Sequence, residues 1–144
     1  MVDDLLDAAF GGAGEERDLV RALRAAGLME LELVTPRDGA VVAYAGVCRM
    51  VEPAGWLCLA PVGVDPRLHG QGLGSHIVRR ALALLPGRMV VVLGDPGFYA
   101  RLGFSGRRAA RLRSVYPVTH LLLAGPGADV PEVQLIYPPP FDGL

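Results

Sequence analysis

The sequence predicts a single mixed α/β domain, spanning 1–144, organised around one parallel βαβ unit, and three observations predict it. Residues 57–85 read as an apolar strand, a glycine-rich turn and an amphipathic helix in unbroken succession. Residues 89–93, MVVVL, are too short for a helix and rich in β-branched side chains, so they form a buried strand parallel to 57–64 across that helix. Residues 30–35 and 40–51 are strands joined by Pro36-Arg37-Asp38-Gly39, whose Asp-Gly pair signals a tight antiparallel turn. The length suits one core that needs no staples.

Two helices come first. Residues 4–10 present Leu5, Leu6 and Ala9 on one side, and the glycines of 11–14 break the helix. The second begins with Glu15, Glu16 and Asp18 in its first turn and carries Arg21 and Arg24 later, an order that suits the helix dipole. Leu19, Val20 and Leu23 form its apolar face, and Gly27 ends it. After the 30–51 pair, Glu52-Pro53-Ala54-Gly55 turns the chain into 56–64, giving a three-stranded meander with Trp56 in the core or on its rim.

Asp65-Pro66 closes that last strand, because proline removes a ladder donor and restricts the residue before it. In His69-Gly70-Gln71-Gly72-Leu73-Gly74 three glycines alternate, so the chain can turn sharply and a ligand can reach the amides without meeting a Cβ. From there Leu73, Ile77, Ala81 and Leu85, with Val78 and Leu82 beside them, make one face of a 3.6-residue period, and His76, Arg79 and Arg80 lie off it. A helix that starts in glycines gathers unpaired N–H groups and its positive dipole end at one point, a site for phosphate or pyrophosphate. The spacing is not the G-x-G-x-x-G of a dinucleotide fold, no second βαβ half follows, and a chain without lysine has no Walker A loop.

Beyond 89–93, Gly94-Asp95-Pro96 leads into a short helix with Tyr99 and Arg101 at the C-terminal end of the sheet, where ligands of open α/β sheets sit. Arg107, Arg108, Arg111 and Arg113 form a basic stretch, read either as a solvated loop or as a contact for an acidic acceptor or anionic cofactor. Residues 120–124 and 133–137 are two final strands, and the proline-rich tail 138–144 is extended.

Composition excludes several classes. The apolar residues, 51% of the chain, fall in short runs, none near the ~18 to 20 needed to cross a bilayer. A net charge of −1 supplies no global field for nucleic acid, although nine of the arginines lie between Arg67 and Arg113. Cys48 and Cys58 lack partners at metal-ligand spacing and read as buried reduced thiols that can face each other across a hairpin, so no metal is expected. The acidic opening Met1-Val2-Asp3-Asp4 is unlike a signal peptide, and a cytoplasmic location is expected.

Two motifs carry a resemblance. Val62-Gly63-Val64-Asp65-Pro66 followed by His69-Gly70-Gln71-Gly72-Leu73-Gly74 resembles the acetyl-CoA-binding motif of the GCN5-related N-acetyltransferase (GNAT) family, with His69 where the family has Gln or Arg. Residues 94–104, GDPGFYARLGF, are similar to the family's later Tyr-x-x-x-Gly-Phe element, with Tyr99, Gly103 and Phe104 in register. The Gly-Asp-Pro form is closest to a bacterial subgroup of predicted acetyltransferases, and the likeness runs over about residues 8–142.

The resemblance implies a GNAT-like fold, a mostly antiparallel sheet with one parallel pair splayed at the cofactor site, here without the usual first strand. That leaves an edge on which a homodimer can form. It implies acetyl transfer from acetyl-CoA to a primary amine, on a small molecule or a peptide, by direct attack in a ternary complex. The pantetheine arm would lie along 59–64 like an added strand, with the amides of Val62, Gly63 and Val64 toward the acyl oxygen. The pyrophosphate would rest on Gly70, Gln71, Gly72, Leu73, Gly74 and Ser75, with Arg67 adding charge. His69 either reaches the same phosphates or faces solvent. Tyr99, a phenol protonated at neutral pH, is the candidate general acid. Glu30, Glu32 and Glu52 lie on the presumed acceptor side, and none occupies a motif position. A binding-only acyl-CoA sensor is the alternative, and a nucleic-acid module is disfavoured by the charge and by the lack of interleaved aromatics.

Overall fold

The computed structural model describes residues 1–143. Helices α1 (Val2–Ala9) and α2 (Glu15–Ala25) precede a five-stranded sheet of β1 (Met29–Arg37), β2 (Ala40–Arg49), β3 (Leu57–Val64), β4 (Val90–Leu93) and β5 (Leu121–Ala124), in spatial order β1-β2-β3-β4-β5. Helix α3 (Leu73–Ala83) joins β3 to β4, and the short helices α4 (Pro96–Ala100) and α5 (Gly106–Ala109) follow β4. All neighbours pair antiparallel except β3 and β4, so the expected mixed sheet with one parallel pair is present. At the β1–β2 turn Asp38 and Gly39 both have positive φ, the conformation an Asp-Gly hairpin adopts.

Two apolar layers sandwich the sheet. On one face α3 buries Leu73, Ile77, Val78 and Ala81 against Leu57, Leu59, Val90 and Val92. On the other, Leu19 and Leu23 of α2 pack with Met50, Val91, Leu121, Leu123 and Leu135. Each fully buried aliphatic side chain contributes about 1.5–3 kcal/mol. Cys48 and Cys58 are free, buried and directly opposed across β2 and β3. Among the described residues no helix is long and apolar enough to cross a membrane.

Three C-terminal expectations are corrected. Residues 133–137 are not a sheet strand: they make isolated bridges alternately to two segments, Gln134 to Arg113 and Ile136 to Glu52, and so have no single ladder partner. The tail is not extended over its whole length. Residues Pro139–Gly143 form a 3-10 turn that buries Phe141 against Tyr137, and Leu144 lies outside the described residues.

The arginine stretch is only partly a solvated loop: Arg107, Arg111 and Arg113 are exposed, whereas Arg108 is buried. Ser105 caps α5, and Arg108, only 7% exposed, donates to the carbonyls of Gly125, Pro126 and Asp129 at 2.9–3.0 Å and to the Asp129 carboxylate at 3.2 Å. Arg107 donates to Ala128 O and Arg111 pairs with Glu132, so these arginines fasten the 125–132 loop.

Candidate functional site

The site begins with a one-residue slip in β3. Below it the register pairs Val47 with Leu59 and Cys48 with Cys58; above it Ala45 pairs with Val62 and Tyr44 with Gly63. Ala60 and Pro61 therefore bulge opposite Gly46, and a bulge reverses which edge of the strand each amide faces. Leu57 N–H donates to Met89 O on the β4 side, whereas Asp65 N–H donates to Val42 O on the β2 side. By alternation Val62 and Val64 turn their N–H groups to the β4 side, where β4 pairs only with Leu57, Cys58 and Leu59 and has already ended. The sheet splits there and exposes two backbone donors.

A cavity of about 620 Å³ fills the split, lined by Val62, Gly63, Val64, the turn from Leu68 to Ser75 apart from Gln71, and Phe98, Tyr99 and Arg101. At its far end α3 starts from Gly72, whose φ of +78° suits glycine, with no side-chain cap. The first intrahelical bond at this end is His76 N–H to Gly72 O, which leaves the Leu73, Gly74 and Ser75 amides without an acceptor among the described residues. A Cβ built on Gly70 or Gly72 meets nothing within 4 Å and would project into open space. A cradle of free amides with bare α-carbons fits a pyrophosphate, and the exposed strand edge fits an amide-bearing arm.

Tyr99 closes the other end. Asp95 caps α4 by accepting from Gly97 N–H at 3.1 Å, and the Tyr99 ring is wedged edge-on between Phe98 and Phe104, with centroids at 4.9 and 5.5 Å. A Cβ on Gly94 would come within 2.5 Å of that ring, so only glycine leaves the ring its place. Burial, aided by the Cys58 thiol, pushes the phenol up to about 12, and it stays protonated through the neutral range.

Tyr99, Val62 and Phe10 also line a second cavity of about 370 Å³ on the opposite side of the split. Its walls come from α2 (Glu15, Glu16, Leu19), the bulged part of β3, and Tyr116, Tyr137 and Phe141. The two cavities thus meet at Tyr99.

The family model described as "Acetyltransferase (GNAT) domain" matches residues 30–106. The uncharacterised N-acetyltransferase YhbS of Escherichia coli K12 is 36% identical over 125 residues, covering 82% of this chain and 74% of that protein. The chain belongs to the GNAT family. Solved GNAT structures agree: YhbS from E. coli in complex with CoA superposes with a TM-score of 0.85 at 30% identity, over 98% of this chain and 84% of that one. A GNAT acetyltransferase from Brucella melitensis in complex with acetyl-CoA gives a TM-score of 0.81 at 32% identity, over 98% and 90%.

Most of the residues read from the sequence converge on this GNAT cleft: Val62, Gly63, Val64, His69, Gly70, Gly72, Leu73, Gly74, Ser75 and Tyr99 all line it, His69 as an exposed residue at its rim. Arg67 and Gln71 do not. Arg67 chelates Asp65 with two contacts of 2.8 and 3.1 Å, and Gln71 accepts from Arg37. Arg101, at the C-terminal end of α4, supplies a cleft cation instead.

Of the three glutamates noted in the sequence, Glu30 and Glu32 are held in ion pairs, while Glu52 is exposed and lines neither cavity. Glu30 pairs with Arg49 and Arg88, Glu32 with Arg24 and the Tyr44 hydroxyl, and the backbone of Glu52 bridges Ile136. Sequence reasoning missed the wall of the second cavity. Glu15 and Glu16 read as ordinary first-turn acids, and Tyr116, Tyr137 and Phe141 have no motif around them.

Proposed function

We propose that the protein transfers an acetyl group from acetyl-CoA to a primary amine by direct attack in a ternary complex. The observation that carries this reading is the meeting of two cavities at Tyr99, one with a phosphate-sized amide cradle and a free strand edge, the other open to an acceptor. A binding-only module needs the first cavity and has no use for the second.

Bound acetyl-CoA supplies an activated thioester. The Gly70–Ser75 amides hold its pyrophosphate, with Arg101 lending charge. The Val62 and Val64 amides take the pantetheine arm and the acyl oxygen, where fixed backbone donors stabilise developing negative charge without reorganising. As the new N–C bond replaces the C–S bond, Tyr99 gives its proton to the departing sulfur and recovers one from solvent, while the amine sheds its own proton to water.

Calorimetric titration of acetyl-CoA into the wild type and Gly72→Glu tests the cradle. Micromolar binding is expected for the wild type, with a loss of at least 100-fold in the variant, since bulk and negative charge enter the phosphate site together. Equal affinities would overturn the assignment.

A further inference from the structure

The second cavity differs from the first in chemistry as well as in place. No arginine or histidine lines it, and its only ionisable acids are Glu15 and Glu16, neither of which has an ion pair among the described residues. Arg17, the nearest cation in sequence, is occupied by Asp7 and Asp18. The opposite wall is a fixed aromatic cluster: Tyr116 stands edge-on to Tyr137 at 5.0 Å, and Tyr137 meets Phe141 at 5.3 Å. Tyr137 is 9% exposed and its hydroxyl is buried, so the ring rather than the hydroxyl faces the cavity. A cavity of 370 Å³ is sized for a small molecule.

We infer that the acceptor is a small primary amine carried on an apolar, aromatic-sized body, an inference that rests on the acetyl-transfer reading of the same site. Glu15 and Glu16 attract the ammonium form at the mouth, and the aromatic wall holds the body while the nitrogen, having given one proton to water, is presented as the free amine toward Tyr99. Anionic acceptors are repelled at the mouth, and strongly hydroxylated ones leave polar groups unpaired against the apolar wall.

The experiment measures thiol release from acetyl-CoA with 2-phenylethylamine, ethanolamine and the tripeptide Phe-Ala-Ala as probes, alongside calorimetry of acetyl-CoA. The expected result is a kcat/KM for 2-phenylethylamine at least tenfold above that for ethanolamine and for the tripeptide. The double variant Glu15→Gln, Glu16→Gln should raise KM for 2-phenylethylamine about fivefold at nearly constant kcat, with unchanged acetyl-CoA affinity. Ethanolamine or the tripeptide turning over as well or better would overturn the inference, as would an unchanged KM in the double variant. Acetyl-CoA binding without any turnover of 2-phenylethylamine would overturn it while leaving the cofactor site intact. Failure of the wild type to bind acetyl-CoA would overturn the acetyl-transfer reading itself.

Discussion

The two cavities that meet at Tyr99 are made of different material. The larger is built mainly from backbone: two amides freed by the bulge at Ala60 and Pro61, and a helix start left uncapped at Gly72. The smaller is built mainly from side chains that arrive separately from Phe10 just after α1, from α2, from β3 and from the C-terminal segments. Their charge is opposed too, with Arg101 at the first and Glu15 and Glu16 at the second. A backbone site can hold one cofactor in many relatives, because side-chain changes hardly touch the amides. A side-chain site sets which acceptor enters, and can change without disturbing the first.

The largest expected effect lies at the junction. Tyr99→Phe should lower kcat by about 10²–10⁴ while leaving the acetyl-CoA Kd unchanged, measured by steady-state kinetics beside calorimetry. Because the phenol holds its proton up to about 12, the wild type should show no alkaline loss of kcat/KM from this group between pH 8 and 10, and a loss there that disappears in Tyr99→Phe would contradict its placement.

Smaller effects are expected away from the junction. Arg108→Ala removes a clamp remote from both cavities, so stability should fall by about 1–3 kcal/mol in urea unfolding with kcat preserved at permissive temperature. A loss of kcat there would mean that the cavities are not independent of the 125–132 loop.

The smallest concerns Asp65, which accepts from the Arg67 backbone and guanidinium ahead of the glycine turn. The Arg67 contacts hold its carboxyl at about 2 against an ordinary 3.8, a depressed folded value. Its contribution is therefore complete above about pH 4 and lost as pH falls toward 2. Asp65→Asn should flatten the decline of Tm across that window.

The same division explains how much was legible in the sequence. The βαβ unit, the glycine turn and the Tyr99 helix are local patterns, and Val62-Gly63-Val64 to Gly74 reads as a cradle because neighbours in sequence are neighbours in space. The bulge that aims Val62 and Val64 was not legible, since it depends on register against Gly46. That Arg67 pairs with the carboxylate two residues away was not read from the sequence, which took it as charge for the cradle. The aromatic wall was missed for a longer-range reason: Tyr116 and Tyr137 come from segments held together only by isolated bridges, which leave no periodicity to read. For the same reason residues 133–137 looked like a strand of the sheet.

The measurement that bears most directly on a backbone-built cofactor cleft is a ¹H–¹⁵N correlation spectrum recorded during titration with CoA. The largest amide shifts should fall on Val62, Val64 and the run from Gly70 to Ser75, with Glu15, Glu16 and Tyr137 little moved. Shifts concentrated on α2 and the Tyr116–Tyr137 wall, with the Gly70–Ser75 amides unmoved, would contradict a backbone-built cleft.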